Sequence, residues 1–510
     1  MTTLQRATIA TAAALSFLIT LSLAGCTNAP VTNAPTTNAN ANATNTNAMT
    51  SNANATTNAS PAATNGASDQ PVTLAVLDAL FADESFARDL KSKFQLSDDQ
   101  LAQLHKVAAE ERTGLRESEA QSGTTRDATE RARQRIGTVV GADKADQVIA
   151  FARERWSGGD GGTSTTSSSA TADKPNAIPT DTRIVVNAPA FRMDIFEQGH
   201  LVKSYKVGIG YPEFPLPAGM RKAEQIIYNP EWTPPDEPWV EAPGSKVKVG
   251  EKVASGSKLN PLGPVKIPIG LPSLIHGGKQ PSRLGEFASH GCVGLTDALS
   301  LEVAREIARL GGASVTDEDV KTYQQDKTKS KSVKLPQPVR VELRYETIVA
   351  TDDGKLHIYR DVYDRGTNTE ENLRKVLDAH GVSFDQLSDE QRAQLTDALK
   401  QMARDALGHP AEGDGTQSMN ANAPNKNGNP SNANANSSNK NANASNKTDK
   451  NANNSNTAGG HVTRNVKGQK EIVVEIDALK GKGYPAPVGD AFNTNDQKQN
   501  ATAPKKGKRR

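Results

Sequence analysis

Cysteine is almost missing from this chain: there are two in 510 residues, Cys26 and Cys292. That excludes a disulfide framework and any zinc site built on paired cysteines. Aromatic residues make up only 4% and hydrophobic residues 35%, with a mean hydropathy of −0.60. The averages are diluted by long Asn/Ala/Thr/Ser tracts, so less of the chain can fold around a core than its length suggests. Excess charge is also lacking. The formal net charge is +2, which argues against a polyanionic partner such as nucleic acid. The one dense basic run, Lys505-Lys506-Gly507-Lys508-Arg509-Arg510, reads as a solvated tail.

Residues 1–26 have the features of an export signal. Arg6 gives a thin positive start, an apolar run covers residues 7–22, and Leu23-Ala24-Gly25-Cys26 resembles the lipobox of bacterial lipoproteins. That resemblance implies a lipid on Cys26, membrane attachment through the new N-terminus, and a place in the cell envelope facing the periplasm or wall. Each buried methylene contributes roughly 0.8 kcal/mol, so two or three acyl chains anchor stably. Residues 27–70, rich in Asn, Ala, Thr and Pro, read as a disordered tether with a root-mean-square span of roughly 35–40 Å. With Cys26 lipidated, Cys292 would be a lone thiol in an oxidising compartment. It is then either reactive or a small buried apolar residue, and spacing alone leaves both open.

The rest divides by pattern. Residues 71–157 read as a helical domain: Phe86, Leu90 and Phe94 stripe one helix, Leu101, Leu104, Ala108 and Leu115 the next, and Val148, Ile149, Ala152 and Trp156 a later one. Ser97 and Gln100 have capping-box spacing. Gln95–Leu104 is echoed by Gln386–Leu395, each behind a shorter helical stretch: either duplicated helix–turn–helix units packing together or onto a wall or envelope partner, or two independent uses of a good capping sequence. Residues 158–180 read as a linker. From 181 to 365 short β-type runs follow one another, with a hairpin turn at Glu197-Gln198-Gly199-His200. Residues 366–410 read as a helical hairpin, 411–464 as an Asn-rich linker, 465–490 as a strand returning to the same sheet, and 491–510 as the basic tail.

Chemistry concentrates in Leu274-Ile275-His276-Gly277-Gly278 and Ala288-Ser289-His290-Gly291-Cys292-Val293-Gly294-Leu295. A cysteine nucleophile needs a thiolate, and the free thiol is mostly protonated near neutral pH. An imidazole can take that proton and return it to a leaving amine. His290 is too close in sequence to face Cys292 easily, so His276, arriving on a neighbouring strand, is the better base. The tight His290-Gly291-Cys292 segment can aim N–H groups at an oxyanion, and Gly277, Gly278 and Gly291 leave room for a peptide. A structural cysteine and a Cys/His metal site are the alternatives, the latter without ligand-pair spacing.

His276-Gly277 followed by Ser289-His290-Gly291-Cys292 resembles the signature of the L,D-transpeptidase family with its YkuD-type catalytic domain. Val207-Gly208-Ile209-Gly210 with Pro217-Ala218-Gly219, Asn229-Pro230-Glu231-Trp232-Thr233-Pro234-Pro235 and Asn260-Pro261-Leu262-Gly263 are similar to further family segments. The likeness runs from about Arg183 to Gly312, and Leu335–Tyr363 resembles the extension of larger members.

Together with the patterns above, the resemblance gives an α+β multidomain chain: a mainly-β L,D-transpeptidase-type catalytic domain beside a separate N-terminal helical domain and long disordered linkers. It implies Cys292 as nucleophile and His276 as base, with the Gly277 carbonyl orienting the ring. Ser289, His290 and Gly291, with the Cys292 N–H, would form and support the oxyanion hole. The substrate would be a peptidoglycan tetrapeptide stem. Attack on its third residue expels D-Ala, leaves a thioester and ends in a 3→3 cross-link, with no metal or organic cofactor. Hydrolysis of stems, or an inactive wall-binding lipoprotein, are the alternative outcomes. Two residues depart from the pattern: Gly294 stands where an Arg is common, and Leu216 where a Thr is. Arg283 and Trp232 are candidate substrate contacts, Arg283 as a replacement cation.

Overall fold

A computed structural model describes residues 70–117, 123–158, 174–234, 245–270, 273–410 and 463–489. The signal segment with Cys26, the tether, the Asn-rich tract to 462 and the basic tail lie outside the described residues. Among the described residues no helix is long and apolar enough to cross a membrane.

Five helices form the N-terminal part: α1 (Leu74–Phe81), α2 (Glu84–Phe94), α3 (Asp98–Glu117), α4 (Thr125–Val140) and α5 (Ala142–Gly158). Their starts follow from local chemistry. Asp83 accepts from the Ser85 N–H at 2.9 Å, and Ser97 and Gln100 cap each other reciprocally, both at 3.1 Å. The turn between α2 and α3 passes through Gln95 at φ 51°. Phe86, Leu90, Phe94, Leu104, Ala108, Val148, Ala152 and Trp156 meet in one buried cluster, with Leu101 against its rim. Each fully buried side chain of this size contributes roughly 1.5–3 kcal/mol.

The β region is built from β1 (Arg183–Asn187), β2 (Arg192–Glu197), β3 (His200–Lys206), β4 (Ile209–Gly210), β5 (Gly219–Tyr228), β6 (Val265–Pro268), β7 (Leu274–His276), β8 (Phe287–Ser289), β9 (Val293–Gly294) and β10 (Lys331–Arg344). Eight of them make one sheet in the order β3-β2-β1-β10-β5-β6-β7-β9. It is antiparallel except at β1–β10 and β7–β9. The β2–β3 hairpin turns on Gln198 and Gly199, both at positive φ, as a two-residue loop requires. Pro336 and Pro338 lack N–H groups, and the ladder of β10 with β5 shifts register between Lys334 and Val339. The sheet curls so that its last strand meets the chain leaving β3: Gly208 and Gly294 exchange both backbone hydrogen bonds, at 2.9 and 2.8 Å. Only glycine fits at 208, because a Cβ there would lie 2.5 Å from the Cβ of Ala288. Helices α6 (Asp297–Leu310) and α7 (Asp317–Gln325) follow the Cys292 segment, and α6 packs on β6 and β10 through Val303, Ala304 and Ile307.

Two expectations change here. The strand near 471–476 does not return to the main sheet. β13 (Glu471–Glu475) pairs with β12 (Lys355–Tyr359), which pairs with β11 (Ile348–Thr351), in a separate three-stranded sheet. Alternation identifies a strand but carries no information about its partner. Nor do the two echoed units pack together. The second comprises α8 (Glu370–Ala379) and α9 (Asp389–Met402), the latter again capped by Ser388 and Gln391, and it buries Leu377, Leu395 and Leu399 against the small sheet in its own cluster.

The helical domain docks on the β region mostly through backbone carbonyls. Gln70 donates to Ala218 O and Thr73 to Glu213 O, each at 2.7 Å, and Thr125 donates to Pro212 O at 2.8 Å. Arg221 reaches the carbonyl of Trp156, and the Arg126 N–H donates to Asp364 at 3.1 Å. Glu213 is fully buried at this seam. One carboxylate oxygen accepts from Thr463, and the other has no partner. Burial pushes its pKa up to about 7.

The folded state therefore holds a proton there that the unfolded chain releases near pH 4.5, so stability is lost as pH rises toward 7. Glu213→Gln removes that term. Its thermal midpoint should match the parent near pH 4.5 and exceed it at pH 8, by a free energy on the order of 2–3 kcal/mol. A difference that does not change with pH would mean Glu213 is not buried as a charge.

Candidate active site

Cys292 sits at the end of a tight turn between β8 and β9, and sequence chemistry shapes that turn. Gly291 has φ +85°, a conformation that L side chains rarely adopt. The buried Ser289 hydroxyl spans the turn: it accepts the Cys292 N–H at 3.0 Å and donates to the Cys292 carbonyl at 2.5 Å. From the other side Ser273 donates to the Gly291 carbonyl at 2.9 Å. The nucleophile candidate is thus held by two serines, one on each flank. Nothing in the sequence marks Ser273, because its partner is a backbone carbonyl eighteen positions away.

His276 ends β7, which runs parallel to β9 with Ile275 opposite Val293 and His276 opposite Gly294. Cys292 immediately precedes β9, so its backbone stands one position before the residue paired with Ile275. His276 is 4% exposed, while Cys292 is half-buried. The ring nitrogen Nδ1 lies 2.8 Å from the Gly277 carbonyl. A carbonyl can only accept, so Nδ1 carries the proton and Nε2 is the basic nitrogen. Among the described residues no hydrogen bond joins this ring to the sulfur.

Electrostatics keep both groups neutral. Burial pushes the imidazole down to about 3; the Lys279 ammonium adds to this, and the Gly277 and Leu262 carbonyls oppose it. Burial pushes the Cys292 thiol up, against the Leu274 backbone and the Lys279 charge, which favour the thiolate. A neutral imidazole protonated at Nδ1 can accept the thiol proton at Nε2 as attack proceeds, and a neutral thiol resists stray oxidation.

The remaining sequence candidates are distributed as follows. The His290 ring packs edge-on against Tyr211, 5.1 Å between centroids, and Phe214, 4.6 Å. Phe214 in turn touches Ala75 of the helical domain, so docking reaches the Ser289–Cys292 turn. The Cys292 N–H, expected to point at an oxyanion, is taken by Ser289, whereas Gly291 N–H has no protein acceptor among the described residues. Arg283 spends its guanidinium on the carbonyls of Phe287 and Arg464 and on Asn465 Oδ1, which ties the C-terminal segment down. Trp232 is bridged to Val253 and packs on Val247, in the loop lobe between β5 and β6. The cation next to the thiol is Lys279, which sequence reasoning passed over although it stands two residues beyond Gly277.

No curated protein matches the chain. Among solved structures, an Enterococcus faecium L,D-transpeptidase mutant is similar at 15% identity and a TM-score of 0.20, over 32% of this chain and 49% of that one. An L,D-transpeptidase from Mycobacterium smegmatis is similar at 14% and 0.18, over 32% and 58%. One from Mycobacterium tuberculosis H37Rv is similar at 15% and 0.18, over 32% and 57%. The similarity spans about half the length of those proteins. The family model described as the L,D-transpeptidase catalytic domain, YkuD, matches residues 181–327, an interval that contains β7, the Ser289–Cys292 turn and α6. Residues 181–327 are a YkuD-type L,D-transpeptidase catalytic domain, and Cys292 and His276 both lie inside it.

Proposed function

We propose that this protein rearranges peptidoglycan stem peptides by cysteine acyl transfer. The Cys292 thiol gives its proton to His276 Nε2 as the sulfur attacks the carbonyl of the third residue of a tetrapeptide stem. The tetrahedral oxyanion is met by backbone N–H groups of the Ser289–Cys292 turn, Gly291 foremost. The C–N bond then breaks, His276 protonates the departing D-Ala amine, and a thioester remains on Cys292. An amine from a second stem resolves it, forming the 3→3 cross-link and regenerating the thiol. The reading is supported above all by one observation: the parallel β7–β9 pair brings the buried, neutral His276 at the end of one strand beside the other strand, which Cys292 immediately precedes, within residues that match the catalytic-domain family.

The test is to incubate the protein with disaccharide-tetrapeptide and analyse it by mass spectrometry. Released D-Ala, an acyl adduct on Cys292 and a cross-linked dimer are expected. Tripeptide without dimer would replace transfer by hydrolysis. Unchanged substrate and unmodified protein would sink the enzymatic reading.

A further inference from the structure

Gly294 is paired with His276 across β7 and β9 and stands two residues beyond Cys292, so whatever lies over it borders both groups. That position carries no side chain of its own, yet it is filled. A Cβ on Gly294 would lie 2.9 Å from Cγ, 3.4 Å from Cδ and 3.0 Å from Cε of Lys279. The lysine is brought back across β9 by a turn in which Gly278, at φ +80°, donates to Asp297 at 2.8 Å, and the Lys279 N–H then donates to the Leu295 carbonyl at 3.0 Å. Its stem therefore lies along the floor left by Gly294. Burial pushes the Lys279 ammonium down to about 8, so it is charged at neutral pH, where it acts on both Cys292 and His276.

We propose that Lys279 is a positioning residue of the site: its ammonium, laid across Gly294, supplies the countercharge that sustains the Cys292 thiolate. This rests on Cys292 being the nucleophile. The other charged or titratable groups around the thiol leave this role open. His276 is held neutral by burial, Asp297 is bonded to the Gly278 N–H, and His290 is packed between Tyr211 and Phe214. Arg283 acts on Lys279, but its guanidinium is bonded to Phe287, Arg464 and Asn465. The Lys279 charge, acting on the thiol in a partly dry site, favours the thiolate over the thiol. The same charge disfavours an imidazolium at His276, so the thiol proton is held only transiently before it passes to the leaving amine.

The experiment is the pH dependence of iodoacetamide alkylation at Cys292 in the full chain, read by peptide mapping. Lys279→Met keeps an apolar stem over Gly294 and removes the charge. The rate at pH 7, where the Lys279 ammonium is charged, should fall about tenfold, and the two profiles should converge at alkaline pH, where it is not. Lys279→Arg should return the profile close to the parent's. Gly294→Ala, which pushes the lysine stem aside without demanding an unusual backbone, should shift the profile in the same direction as Lys279→Met and serves if the methionine variant folds poorly. Superimposable profiles for parent and Lys279→Met overturn the proposal. D-Ala release is assayed in parallel. A shifted profile without any D-Ala release leaves Lys279 in its role and removes the transpeptidase reading; D-Ala release with an unshifted profile does the reverse.

Discussion

Cys292→Ala is expected to abolish D-Ala release from the tetrapeptide, with a fall on the order of 10⁴-fold or more, down to what binding and oxyanion stabilisation alone provide. No other side chain in the turn can take over. Ser289 is the nearest hydroxyl, but its oxygen is bonded to both the N–H and the carbonyl of Cys292 and has no base beside it. The substitution should also be gentle structurally, because Ser289 and Ser273 hold the turn through backbone groups that alanine keeps. Thermal unfolding close to the parent's, with no acyl adduct and no D-Ala, is the expected combination. Residual turnover above about one part in 10² would mean that the sulfur is not the attacking atom.

His276→Gln should be the second largest effect, lowering turnover by roughly 10²–10⁴-fold. Glutamine can still donate to the Gly277 carbonyl but cannot hold a proton at neutral pH, so general base catalysis is lost while local packing is largely retained. The pH profile of the parent discriminates further. With the imidazole at about 3, protonation of the base does not limit the rate near pH 6, as it would for an exposed histidine. With the thiol pushed up, the rate should instead climb from neutral into the alkaline range as the thiolate becomes accessible. An acid limb with a midpoint near 6.5 would show that the ring is solvated in the working enzyme and that its burial does not set its chemistry. Alkylation of Cys292 should survive in His276→Gln, which separates loss of the base from loss of the fold.

The legible features were those encoded in short stretches of chain. Phe86, Leu90 and Phe94 at helical spacing reached the core they predict, and Ser97 with Gln100 and Ser388 with Gln391 cap their helices. The Ser289-His290-Gly291-Cys292 run specifies its own turn, because a positive φ at 291 and a hydroxyl three residues before the thiol are local requirements. His276 could be named as base because a thiol needs a proton acceptor and a residue two positions away cannot easily face it. The β13 strand was recognised from alternation and assigned to the wrong sheet, since a strand's period is the same whichever neighbour it pairs with. The Cys292 N–H was expected at the oxyanion, but Ser289 took it, a competition visible only once the turn is closed.

Sequence by itself determined which segments are helices and strands, where the helical caps lie, and which two side chains can perform thiol chemistry, because each of these depends on residues within a few positions of one another or on the intrinsic chemistry of sulfur and imidazole. Tertiary structure alone decided that β7 runs beside β9, that the helical domain rests on the carbonyls of Pro212, Glu213 and Ala218, and that Lys279 lies where Gly294 leaves space. Strand pairing and docking on backbone carbonyls use groups that every residue possesses, so they leave no mark in the order of side chains. The space above a glycine likewise becomes a site only after another part of the chain has folded over it.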